Sequence, residues 1–166
     1  LYPQLEANSF ADWRLEITGL VAQPRTFSLA ELRAKPTTTQ ITHLACEEGW
    51  SYIAEWTGVP LSSLLREVQI APQAKFIVYN SLQEDWWDSM DLDEAFHPQT
   101  QISHTMNGAP LAPAFGGPLR MRVPRQLGYK SVKYIHKISV TDSLEHVGNG
   151  RGAAGVDYGY AWYNGI

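Results

Sequence analysis

An α+β fold is predicted by three observations. Strand-like runs and short helical segments follow one another without the regular βαβ rhythm of a parallel sheet. No internal repeat and no low-complexity linker interrupts the 166 residues. Hydrophobic residues make up 44% of the chain, enough to build one core rather than remain disordered. The expectation is a single domain over residues 1–166, mixed and mainly β, with short helices.

The elements follow in order. Trp13 to Thr18 alternates apolar and polar residues, the period of a half-buried strand, and Gly19 ends it. Ser28-Leu29-Ala30-Glu31 has the spacing of a capping box and predicts a short helix through Arg33. Ile41 to Ala45 reads as a strand running directly into Cys46, and Gly58-Val59-Pro60 reads as a turn. Leu61, Leu64, Leu65 and Val68 then recur at helical spacing. Phe76 to Tyr79 is a short buried strand, and Asp91 to Phe96 a single helical turn stopped by Pro98. Ile102 to Met106 is a strand closed by the tight-turn pair Asn107-Gly108. Ala109 to Pro118 is a Gly/Pro-rich loop. Leu119 to Val123 and Ser131 to Val140 are strand-like, and the remainder is Gly-rich with Tyr158, Tyr160, Trp162 and Tyr163. Trp13 and Trp56 are assigned to the core.

Composition removes several function classes. A net charge of −4 does not suit non-specific nucleic-acid binding, which needs a basic face. No apolar run approaches the ~20 residues of a membrane-spanning helix. The chain opens at Leu1-Tyr2-Pro3 without a signal-like segment, as expected of a mature form, a trimmed form or a fragment. With one cysteine there is no internal disulfide, no C-x-x-C-H haem attachment and no zinc cluster. No P-loop or GxGxxG turn is present.

Two features could carry chemistry. No Asp or Glu occurs between Glu94 and Asp142, yet Arg120, Arg122, Arg125, Lys130, Lys133 and Lys137 lie there, six of the 13 Lys and Arg. Such a stretch beside a Gly-rich loop is either a phosphate-type anion site or a solvated strand face. The second feature is Cys46, placed where a loop can present it to a pocket. A thiolate is a soft ligand for thiophilic metals, while a lone Cys is also a common filler of space. A nucleophilic pair with His43 is disfavoured, because positions three apart on a strand point to opposite faces. Trp50, Trp56, Trp86, Trp87 and the C-terminal aromatics either line a pocket or fill the core.

These residues also form a pattern. Cys46-Glu47-Glu48-Gly49-Trp50-Ser51 is followed by Trp56-Thr57-Gly58-Val59-Pro60-Leu61, then by Leu92 to Thr100 and Met106-Asn107-Gly108-Ala109-Pro110-Leu111. Gly117-Pro118-Leu119-Arg120, Val123-Pro124, Gly128 to Lys133 and Ile138-Ser139-Val140 complete it. In this order and spacing, from about Trp13 to Val140, the chain resembles the molybdopterin-binding domain of the sulfite oxidase superfamily. The tail Gly159 to Ile166 is similar to the ending of small bacterial members.

The resemblance implies a sulfite-oxidase-type fold and a molybdenum-molybdopterin cofactor without haem. It implies that Cys46 is the metal ligand and that Arg120 and Ser131-Val132-Lys133 grip the pterin phosphate. It further places His43, Ser81, Phe115 and Lys130 among the cofactor-contacting positions. Ser81 stands where the methionine-sulfoxide reductase branch has Thr. Phe115 stands where His or Asn is usual, so one phosphate contact is lost or supplied elsewhere. Only Leu1 to Asp12 precede the first strand, where the family adds further pterin contacts.

Full sulfite oxidases follow the metal-binding cysteine with arginines, whereas here Glu47 and Glu48 follow it. Carboxylates near an incoming sulfite repel it. Adjacent residues on an extended chain point opposite ways, so one of the two at most is expected to face the pocket. Glu48 and Trp50 are candidate catalytic residues beside Cys46, with Trp86 and Trp87 as further pocket candidates. The expectation is oxygen-atom transfer on a small neutral substrate such as a sulfoxide, by a haem-free, periplasmic, monomeric enzyme. Electrons would come from a separate membrane cytochrome or quinone-linked subunit. The alternatives are a non-catalytic anion- or cofactor-binding module of the same fold, and a sulfite-oxidising enzyme.

Overall fold

The computed structural model describes residues 1–83 and 85–166. Its elements run α1 (Tyr2–Ala7), β1 (Arg14–Gly19), β2 (Arg25–Ser28), α2 (Leu29–Ala34), β3 (Thr38–Ala45), β4 (Ser51–Pro60) and α3 (Leu61–Val68). They continue as β5 (Phe76–Ser81), β6 (Trp87–Asp91), α4 (Leu92–Ala95), β7 (Gln101–Met106), β8 (Ala109–Pro110), β9 (Arg120–Arg122) and β10 (Ile135–Thr141). One sheet has the order β2-β1-β10-β5-β6. The other runs β3-β4-β7-β8, with β9 also paired to β7. All pairings are antiparallel except β1 with β10. The mainly β, α+β expectation holds.

Side-chain period explains the core. Leu15 and Ile17 alternate inward on β1, and Ile77 and Tyr79 do so on β5. Leu61, Leu64, Leu65 and Val68 form one buried stripe on α3 that meets Val59 and Ile102 of the second sheet. Trp13 and Trp56 are fully buried, as assigned. The capping box at α2 is formed: the Glu31 amide donates to Ser28 Oγ and the Ser28 amide to the Glu31 carboxylate. Asn107 and Gly108 both take positive φ in the β7–β8 turn.

Three expectations are corrected. Gly58-Val59-Pro60 is not a turn but the end of β4, paired to β7 across a register shift between Thr57 and Gly58. Glycine is required there by close approach: a Cβ on Gly58 would lie 2.1 Å from the Ile102 carbonyl oxygen. The last strand begins at Ile135 rather than Ser131, because residues 128–131 form a 3-10 turn in which the Ser131 amide donates to the Gly128 carbonyl. Strand β6 escaped the sequence reading because Asp88 and Ser89 are polar yet buried, which hides its period. Strand β2, the first half of β4 and helix α1 were missed as well; α1 buries no residue and shows no apolar stripe.

Replacing Gly58 by Ala is expected to cost about 1–3 kcal/mol, the usual range for forcing atoms into a packed site. Chemical denaturation measures it, and a loss below about 0.5 kcal/mol, typical of unconstrained surface sites, would contradict the close-approach argument.

Candidate functional site

Strands β3 and β4 pair through Ala45↔Ser51, so residues 46–50 form a short hairpin loop. The Cys46 amide donates to the Trp50 carbonyl (2.9 Å) and the Gly49 amide to the Cys46 carbonyl (3.0 Å). The chain turns here rather than running extended, and of the two carboxylates Glu47 lines the pocket and Glu48 does not. The thiol and both carboxylates offer atoms all within 4.8 Å of one another. The thiol hydrogen is directed to Glu47 Oε2 (3.4 Å), and the Glu48 amide donates to Cys46 Sγ (3.4 Å). Burial pushes the Cys46 thiol above its ordinary value, and the two carboxylates add to the rise. Trp50 Nε1 donates to Glu48 Oε2 (3.4 Å), and the Trp50 ring stacks on Tyr52.

Cys46 opens into a pocket of about 230 Å³. The facing wall comes from β9 and the segment after it: Arg120, Gly128, Tyr129, Ser131, Val132 and Lys133. Arg120 Nε donates to the Ser131 carbonyl (2.8 Å) and Nη1 to the Phe115 carbonyl (3.1 Å). Lys133 Nζ donates to the Ala114 carbonyl (2.8 Å). Just behind, Arg122 donates to Ser131 Oγ, Thr42 Oγ1 and the His43 carbonyl, and its Nε is buried with no partner among the described residues. The two guanidiniums lie 5.6 and 5.3 Å from the Trp56 ring. Desolvation lowers both, Arg122 to about 10, and it also lowers Lys133. Among the described residues none of these three cations has an acidic partner.

The other sequence candidates divide. His43 is exposed and contributes only its carbonyl to Arg122. Phe115 likewise acts through its carbonyl, while its ring sits edge-on to Tyr52. Ser81 is buried, accepts the Gln83 amide and lines a second cleft of about 890 Å³. That cleft also takes in Trp87 and shares Gln83 and Trp86 with the Cys46 pocket. Lys130 is corrected: its ammonium is buried on Asp88 and the Ser89 carbonyl, away from the pocket lining. Burial pushes Asp88 up to about 6 and Lys130 down, so desolvation outweighs the attraction within the pair.

Sequence reasoning missed Gln83 and Tyr129 in the pocket wall, and named Tyr160 only among the C-terminal aromatics that either line a pocket or fill the core. Tyr129 lay inside a motif already singled out. Of those aromatics, the folded tail brings Tyr160 to the pocket.

Residues 2–147 match the model of the oxidoreductase molybdopterin binding domain, and the chain belongs to that family. A relative from Azospira oryzae, named for a protein-methionine-sulfoxide reductase subunit, YedZ1, is 39% identical over 93% of this chain and 56% of its own length. The Ralstonia nicotianae protein-methionine-sulfoxide reductase catalytic subunit MsrP is 33% identical over 78% of this chain and 44% of its own. The sulfane dehydrogenase SoxCD from Paracoccus pantotrophus superimposes with a TM-score of 0.75 at 25% identity, covering 86% of this chain and 44% of that one. The chain thus spans about half the length of the relatives it matches.

The Lys130–Asp88 pair gives a prediction. Lys130→Met alone strands a buried carboxylate and is expected to cost about 3–5 kcal/mol. Combined with Asp88→Leu it should regain most of that loss in denaturation midpoints. A double variant no better than the single one would assign the cost to packing instead.

Proposed function

We propose that this chain is the molybdopterin-binding catalytic domain of an oxidoreductase that transfers an oxygen atom from a sulfoxide. The observation that carries the reading is a thiol and two cations, Arg120 and Lys133, lining one pocket with Arg122 just behind, none of the three with an acidic partner among the described residues. These residues fit the cofactor. A soft thiolate suits the metal, and buried guanidinium and ammonium groups suit a phosphate. Arg120, Lys133, Ser131 and Val132 would hold the pterin phosphate, and Cys46 would hold the metal. The cofactor, when bound, supplies the two-electron redox chemistry and the oxygen exchange.

The chain supplies position and charge. Arg120 is fixed by two carbonyls before any ligand arrives, so little side-chain entropy remains to be lost on binding. The missing side-chain donor at Phe115 is offset in part by its carbonyl, which orients Arg120. Glu47 and Glu48 place negative charge beside the thiol, which disfavours sulfite. The named activities of the two reductase relatives support the sulfoxide reading, and their description as subunits supports a separate electron-delivering partner. We place that partner in the membrane, as a cytochrome or quinone-linked subunit, with this domain acting as a monomer in the periplasm.

Protein made in a host that synthesises molybdopterin is expected to carry near-stoichiometric molybdenum, lost in Cys46→Ser. Arg120→Met should weaken cofactor retention by about tenfold or more, the worth of one charged hydrogen bond. Absence of molybdenum and pterin would overturn the reading. Sulfite oxidation outrunning sulfoxide reduction would overturn the substrate assignment alone.

A further inference from the structure

We propose that the larger cleft beside the Cys46 pocket is a binding site for extended polypeptide, holding the stretch of main chain next to a side chain that enters the pocket. The proposal rests on the pocket being the sulfoxide site, as read above. It adds where the rest of a chain-borne substrate lies.

Strand pairing builds the floor of the cleft. Lys137 of β10, Asn80 of β5 and Trp87 of β6 stand in one row across the first sheet, and Ser139 and Val78 stand in the next. On β5 these positions alternate with Ile77 and Tyr79, so they face away from the core. The opposite wall is the tail, from His146 to Asn149 and at Ala154, Asp157 and Tyr158. That wall is seated tightly: a Cβ on Gly148 would lie 2.3 Å from the Trp87 ring. Asn149 Nδ2 donates to the Ala153 carbonyl, its Oδ1 accepts the Arg151 amide, and Arg151 pairs with Asp157 (3.1 Å). The cleft is therefore formed before a ligand arrives, which lowers the cost of binding.

The lining specifies the ligand. The cleft holds about 890 Å³ against about 230 Å³ for the pocket, and the two meet at Gln83 and Trp86. A small sulfoxide fills the pocket alone and leaves the cleft to whatever the sulfoxide is attached to. Asn80 and Ser139 are half-buried in the floor, and no side-chain hydrogen bond engages either among the described residues. An amide and a hydroxyl each donate and accept, which matches the alternating N–H and C=O groups of an extended peptide. Trp86, Trp87 and Tyr158 add aromatic surface for its side chains. Tyr158 is 75% exposed at the lip, with its ring 6.4 Å from that of Trp86. Lys137 and Asp85 carry opposite charges, so the cleft is not built for an ion of one sign. The two reductase relatives are named for methionine sulfoxide in proteins, a side chain that brings a main chain with it.

The holoenzyme is assayed on a neutral nonapeptide with one central methionine sulfoxide, and on N-acetylmethionine sulfoxide amide, which lacks the flanking chain. The nonapeptide is expected to have a KM about tenfold lower at similar kcat, the worth of a pair of neutral hydrogen bonds. Asn80→Ala and Tyr158→Ala should each raise the peptide KM severalfold and leave the constants for the small substrate unchanged. Equal KM values for the two substrates in wild type overturn the proposal. Variants that shift both substrates alike act through the pocket, and that result overturns it too. A second measurement uses the full chain made without molybdopterin. The nonapeptide, bearing a benzophenone near the sulfoxide, is photo-crosslinked to it and the attachment sites are mapped by mass spectrometry. Attachment to β5, β6 or the tail at residues 146–158 supports the cleft. Attachment elsewhere, or none, overturns it. Failure to load molybdenum counts against the enzyme reading alone, since the crosslink does not depend on the metal.

Discussion

The site depends on two buried guanidiniums that no acid among the described residues neutralises. Arg122 ties the Cys46 hairpin to the far wall: it donates to Thr42 and His43 on one side and to Ser131 on the other. Arg120 ties the same Ser131 to the loop carrying Phe115. Taking such charges out of water is costly, and carbonyl dipoles with the face of Trp56 return only part of it. The geometry therefore stores an electrostatic deficit that an anion in the pocket would relieve. The thiol lies where it does because these arginines hold its hairpin against β9.

The basic stretch contains charges with opposite fates, and the folded neighbours decide which is which. Arg125 reaches Glu94, and Lys130 is buried on Asp88. Both acids come from before the acid-free stretch and return to it through β6 and α4. Lys130 is fixed further by Ser89, which also joins Trp162 of the tail and the Gly152 carbonyl. That network is structural: it seats the turn at residues 128–130 from which Tyr129 and Ser131 line the pocket. Lys137 lines the larger cleft instead. Charge density along the sequence is thus a guide to the region and a poor guide to the ligand set.

Local physics made much of the fold legible. The alternation in β1, the capping box at α2, the stripe on α3 and the Asn107-Gly108 turn each express a period or a backbone requirement within a few residues. What failed depended on distant neighbours. Gly58 looks like a turn until Ile102 lies against it, and Asp88 looks exposed until Lys130 arrives. The site divides the same way. Cys46, Arg120 and Ser131 to Lys133 were marked by ordered motifs, and the fold brings them to one pocket. Of Glu47 and Glu48 one lines the pocket, as expected, although the backbone there is a hairpin turn and not an extended chain. Tyr160 was marked only as one of several C-terminal aromatics, since which of them reaches the pocket is set by the tertiary contacts of the tail.

The pocket is consequently polarised. Its floor is cationic with no acidic partner among the described residues, and the thiol at its edge lies beside Glu47, which lines the pocket, and Glu48. A proton on Cys46 is favoured by burial and by those carboxylates, so a metal must displace it to bind. The same carboxylates would then stand between solvent and the metal. One arrangement can in this way hold a phosphate group at its base and turn away free anions at its entrance. This separation needs Arg120 buried and Glu47 exposed on opposite walls. The sequence places those residues 73 positions apart, and only the two-sheet fold sets them face to face.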